Sequence, residues 1–109
     1  MSVNRALMVS VGGDIFAIPI NTVEGVVRVS PYELEVYYQK DAPPFEYAKQ
    51  DYMLRYLGGL LRTQITPHLE GQSEPRPVLL ARGTDRPIAV QVDSILGSRE
   101  IVVLSLIHI

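Results

Sequence analysis

The chain has 109 residues, a formal net charge of −2 and 47% hydrophobic residues, which suits one small domain and excludes a largely disordered chain. Its 10 Lys and Arg are scattered among 12 Asp and Glu, so the concentrated basic face that a nucleic-acid partner requires is missing. No apolar run nears the ~20 residues of a membrane helix, the first five residues lack the layout of a signal peptide, and the absence of cysteine removes any disulfide framework. A cytoplasmic module without membrane insertion is expected.

In chain order, Ala6 to Val11 and Ile15 to Ile20 are apolar runs split by Gly12-Gly13-Asp14, the pattern of a β-hairpin with a structural turn at Gly12 and Gly13. Pro19 cannot donate to a ladder, so the second strand is expected at an edge or at its own end there. Asn21 to Glu24 reads as a short capping turn and Gly25 to Val29 as a third strand. Ser30-Pro31-Tyr32-Glu33 is a helix start: Ser as N-cap, Pro at the first helical position and Glu returning. The spacing predicts two or three turns to about Lys40, stopped by Asp41-Ala-Pro-Pro44.

Phe45 to Tyr47 and Tyr52 to Tyr56 flank polar Lys49-Gln50-Asp51, a second hairpin, and Leu57 to Leu61 reads as a bend or one helical turn. Thr66 to Pro77 has loop composition. Val78 to Arg82 and Pro87 to Asp93 form a third hairpin around Thr84-Asp85, and Ser98 to Val103 closes with another strand. Many short strands joined by Gly and Pro turns predict an all-β barrel or sandwich.

Nothing in this order supports catalysis. His68 and His108 have no carboxylate at ligand spacing, no G-x-S-x-G is present, and Gly12-Gly13 and Gly58-Gly59 lack the rest of a phosphate-cradling loop. No metal or cofactor is expected. Asp93 ends an apolar run just before Ser94-Ile-Leu-Gly97, where a carboxylate can accept backbone N–H bonds of the turn that follows. Asp93 and Gly97 are therefore read as turn residues, with a salt bridge from Asp93 to Arg99 or Arg28 as the alternative. All six tyrosines fall between Tyr32 and Tyr56, either as interface residues or as cover for the barrel.

Two segments, Val9-Ser-Val-Gly-Gly-Asp-Ile-Phe-Ala-Ile-Pro-Ile-Asn-Thr-Val-Glu-Gly-Val-Val-Arg-Val29 and Arg86-Pro-Ile-Ala-Val-Gln-Val-Asp-Ser-Ile-Leu-Gly-Ser-Arg-Glu-Ile-Val-Val103, resemble the opening and the later signature of CheW-like domains. With Tyr56-Leu-Gly-Gly-Leu-Leu61, the likeness spans most of residues 6–103. In style the chain is most similar to the C-terminal regulatory domain of CheA-type histidine kinases of the type IV pilus (twitching motility) kind.

The resemblance implies two small SH3-like β-barrels in one chain, with strands of 1–30 in the first and of 45–103 mostly in the second. It implies a non-catalytic coupling domain of a chemosensory kinase. Its partners would be a CheW-type adaptor, a chemoreceptor cytoplasmic tip and the kinase domains of the same parent protein. Residues 30–53 are longer and more aromatic than the usual connection, and the family continues past the position of Val103. The chain is thus expected to be a C-terminally truncated fragment with a non-native tail at 104–109. An open strand edge, Val9–Val11 or Ile101–Leu106, is expected to pair with a second copy. Single arginines interrupting apolar strands make Val26, Arg28, Arg99 and Ile101 the candidate partner contacts. The competing reading is a small-ligand- or peptide-binding β-barrel with no signalling role, its pocket lined by Tyr37, Tyr47 and Tyr56.

Overall fold

The computed structural model describes residues 2–60, 74–82 and 86–103, with side chains from 5 to 60, 74 to 82 and 86 to 100. Strand β1 (Ser2–Val11) turns at Gly12-Gly13 into β2 (Asp14–Pro19). Both glycines have positive φ, 58° and 88°, the left-handed pair that a two-residue hairpin loop needs and that other residues adopt only under strain. Pro19 ends β2, and β2 is an edge strand. A 3₁₀ turn at Ile20–Thr22 leads to β3 (Val23–Val29).

Helix α1 (Pro31–Tyr37) starts as the sequence indicates: Pro31 is at its first position and the Ser30 hydroxyl accepts the Glu33 N–H at 3.2 Å. It is two turns long, stopping short of Lys40. Strands β4 (Phe45–Tyr47) and β5 (Gln50–Tyr56) form the second hairpin, and one helical turn, α2 (Leu57–Leu60), follows. The hairpin loop is Ala48-Lys49, one step earlier than polarity suggests; both residues have positive φ. Most of the loop expected from Thr66, and the turn at Thr84-Asp85, lie outside the described residues. Strand β6 begins at Arg76, so Pro77 belongs to a strand. The strands flanking that turn, β6 (Arg76–Arg82) and β7 (Pro87–Gln91), pair antiparallel, and β8 (Ser94–Val103) is last.

The strands make a three-stranded sheet, β2-β1-β8, and a curled five-stranded half-barrel, β3-β6-β7-β5-β4. The architecture is mainly β, as expected. By sheet, β3 joins the half-barrel through β6, and β8 returns to pair with β1. One expectation is corrected. Strand β1 is therefore central, its backbone occupied on both sides, and Val9–Val11 offer no edge to a second copy. Of the other expected edge, Ile101–Val103 lie in β8, an outer strand among the described residues, and 104–106 lie outside them.

Strand β6 explains how the two sheets stack. Val78, Leu79 and Leu80 are all buried, because both faces of this strand are covered. Val78 and Leu80 join Val29, Leu34, Phe45 and Leu54 in one apolar cluster, while Leu79 faces Val9, Val11, Tyr56 and Val92 in the other. Tyr38 packs against both clusters. Its hydroxyl donates to Gln91 Oε1 at 2.6 Å, satisfying a side chain that is only 1% exposed.

Candidate docking surface

The chain passes from the half-barrel to the three-stranded sheet at Val92-Asp93. Val92 N–H still donates to Pro77 O of β6, at 3.1 Å, and Asp93 N–H already donates to Ser10 O of β1, at 2.9 Å. The Asp93 carboxylate ties this crossing to two other elements. Its Oδ2 accepts the Gly12 N–H at 2.8 Å, and its Oδ1 accepts the Tyr56 hydroxyl at 2.8 Å. Its partners are thus the first hairpin turn and the end of β5, where the sequence suggested the turn after Asp93; neither Arg99 nor Arg28 pairs with it. Burial first, then the bond to Asp93, raises the Tyr56 hydroxyl above the ordinary tyrosine pKa. Burial likewise raises Tyr38, with Tyr56 adding to it.

Beyond this joint, the pleat decides what the three-stranded sheet shows to solvent. Leu7 and Val9 of β1 and Phe16 and Ile18 of β2 point to the second apolar cluster. The alternate residues, Met8 and Ser10, therefore point outward, Met8 opposite Ala17 and Gly97 and Ser10 opposite Ile15 and Ser94. The β1–β8 register shifts here, with Met8 opposite Gly97 but Val9 opposite Ile95. Leu96 is thus the extra residue of a β-bulge. Ile95 packs inward, and Leu96 is left 55% exposed. Gly97, at φ 139°, supplies the backbone conformation that the bulge demands.

The bend read from Ser94 to Gly97 is this bulge inside one continuous strand. It encloses a hollow of about 350 Å³ lined by Met8, Ile15, Leu96, Gly97, Ser98 and Arg99. Ile15 is 62% exposed. Arg5 Nη2 donates to Ser98 Oγ at 3.1 Å, whereas Arg99 has no acid partner among the described residues. Exposed large apolar side chains beside an unpaired arginine are the surface chemistry of a protein contact.

The four candidate contact residues fall in two places. Val26 and Arg28 share the exposed face of β3 in the half-barrel, with Val26 45% exposed. Arg99 and Ile101 lie on β8 of the other sheet, where Ile101 is opposite Asn4; its side chain lies outside those described. On the β3 face Glu24 pairs with Arg82 of β6 at 2.8 Å, leaving Arg28 without an acid among the described residues. Met8, Ile15 and Leu96 were missed from the sequence. The signal that could have found them is Gly97 inside an apolar strand pattern, which marks a bulge as readily as a bend.

A family model for the CheW-like domain matches residues 5–108. The chain belongs to the CheW-like domain family. No curated protein matches it. CheW-like domains are non-catalytic adaptor and coupling domains that interact with chemoreceptors and the kinase CheA. Membership gives this chain a role in coupling chemoreceptors to a kinase in chemotaxis-type signalling.

Among the described residues no group of three or more His, Asp or Glu could hold a metal ion, and no helix is long and apolar enough to cross a membrane. His68 and His108 lie outside them. The tyrosines divide by burial: Tyr52 and Tyr56 are in the interior, Tyr37 and Tyr38 are half-buried, and Tyr32 and Tyr47 are exposed. Among the described residues, Tyr37, Tyr47 and Tyr56 have different surroundings. Tyr37 meets the Phe45 ring edge-on at 5.3 Å, Tyr47 is on the β4 hairpin, and Tyr56 is in the second cluster.

Proposed function

We propose that this CheW-like domain docks on a chemosensory kinase, a CheW-type adaptor or a chemoreceptor cytoplasmic tip through the outer face of its β2-β1-β8 sheet. The observation that carries this reading is the bulge-built hollow, in which Met8, Ile15 and Leu96 expose apolar surface beside the unpaired Arg99. Ile101 lies two residues along the same strand. Val26 and Arg28 on β3 form a second contact, as a domain that couples two partners requires.

The segment Tyr56-Leu-Gly-Gly-Leu-Leu61 favours the kinase-borne regulatory form, of the type IV pilus kind, and a cytoplasmic setting goes with it. Binding of the chain to an immobilised chemoreceptor tip, with and without a CheW-type adaptor and a CheA-type kinase, tests the assignment. Saturable capture by any of them supports it, and none at micromolar concentration refutes it. Self-association through β8 would show in sedimentation of the chain alone as a concentration-dependent mass.

A further inference from the structure

Strand β2 ends the β2-β1-β8 sheet, and the side it turns away from β1 has a chemistry of its own. The Gly12-Gly13 loop is closed by Val11 and Asp14, and the pair closing a two-residue loop exchanges both ladder bonds. Ser10 gives the same parity: its carbonyl accepts the Asp93 N–H on the β8 side, so Val9 and Val11 on either side of it face β2. Asp14, Phe16 and Ile18 therefore aim their N–H and C=O groups at β1, opposite Val11, Val9 and Leu7. Ile15, Ala17 and Pro19 aim theirs outward. Among the described residues β2 pairs with β1 alone.

Two features limit what this edge can bind. Pro19 has no N–H, and its carbonyl already accepts the Thr22 hydroxyl at 2.7 Å. That leaves Ile15 and Ala17, both exposed, each with an outward donor and an outward acceptor. Outer strands are usually blunted by charges, prolines or bulges, but between Asp14 and Pro19 this one reads Ile-Phe-Ala-Ile. Phe16 packs on the second apolar cluster and is still only half-buried.

We propose that β2 pairs antiparallel with β2 of a second copy of this chain, about a two-fold axis passing between the two Phe16 residues. Ile15 then stands opposite Ala17 of the other copy, and Ala17 opposite its Ile15. Each pair exchanges both bonds, so every outward group of these two residues is used once and Pro19 lies beyond the pairing. A register centred on Ala17 sets Ile15 against Pro19 instead, where the Ile15 carbonyl finds no donor. The contact is isologous, and the two Phe16 rings meet across the axis as an aromatic cross-strand pair. A longer strand from another protein gains nothing over a copy, because the usable edge stops short of Pro19. The two three-stranded sheets become one, with both bulge hollows on the same face. The pairing itself does not depend on what docks in those hollows.

The test uses the full chain, which has no cysteine. Sedimentation equilibrium from micromolar to millimolar concentration should show monomer and dimer in exchange. Ala17→Pro removes an outward N–H without touching the bonds to β1, and should weaken the dimer by at least about tenfold with an unchanged circular dichroism spectrum. Oxidation reads the register: an equal mixture of Ile15→Cys and Ala17→Cys chains should form the mixed disulfide, identified by intact mass. Residues that exchange both bonds lie about 5.5 Å apart at Cα, within disulfide reach. Should Ala17→Pro fail to fold, the mixed disulfide decides alone. A chain that stays monomeric at millimolar concentration, a dimer that survives folded Ala17→Pro, or Ala17→Cys linking to itself in preference to Ile15→Cys would each overturn the proposal.

Discussion

At the scale of single residues, Asp93 carries the most. One carboxylate satisfies an exposed turn N–H and a part-buried hydroxyl, so Asp93→Ala removes the partner of both donors. Its expected cost is about 2 kcal/mol in denaturant unfolding, and Tyr56→Phe, which removes one bond only, should cost about 1 kcal/mol. The tyrosines also set an alkaline limit. Folding raises the pKa of Tyr56 and Tyr38, so the fold favours their protonated forms. Their contribution is complete below the unfolded tyrosine value of about 10 and is lost as pH rises above it toward the folded values. Unfolding midpoints measured through that range should fall, and should fall less in Tyr56→Phe. The acid at the end of an apolar run is visible in the sequence. Its partners are not, since Gly12 and Tyr56 lie 81 and 37 residues away, beyond any local pattern.

At the scale of elements, local chemistry was legible wherever it decides the outcome. Gly12-Gly13 gave the first hairpin and Ser30-Pro31 the start of α1, because each supplies a conformation or a hydrogen bond to its own neighbours. Ser30→Ala should cost α1 about 1 kcal/mol, read from the unfolding midpoint. The Ala48-Lys49 loop was misplaced by one step, because neither residue advertises positive φ. That loop holds two L-residues in a left-handed conformation. Lys49→Gly should relieve strain there and raise stability by up to about 1 kcal/mol; a lower midpoint would contradict the assigned turn. The bulge was hidden for another reason. A glycine in an apolar run marks a bend or a bulge, and only the register of β1 against β8 tells them apart. Since Leu96 is the extra residue, deleting it should leave Ile95 opposite Val9 and Gly97 opposite Met8 in a regular ladder. The sheet should stay folded while an exposed apolar side chain of the hollow is lost; an unfolded deletion variant would contradict the assigned bulge.

For the whole molecule, the sequence supported the β class and the family, while the partition into sheets required the structure. Strands β3 and β8 each pair with a partner remote in sequence, and nothing in Val23–Val29 or Ser94–Val103 names that partner. Val78, Leu79 and Leu80 are buried on both faces of β6, which is the layer shared by the two apolar clusters. This stacking turns one face of the β2-β1-β8 sheet inward and leaves Met8, Ile15 and Leu96 on the other, where a coupling domain has use for them. The most direct test is a binding titration against a chemoreceptor tip and a CheA-type kinase, comparing the wild-type chain with Ile15→Glu combined with Leu96→Glu. Both side chains are exposed, so the unfolding midpoint should hardly move, while affinity for at least one partner should drop by about 100-fold as two apolar anchors are lost. Wild-type affinity for both partners in the correctly folded double variant would contradict the docking surface.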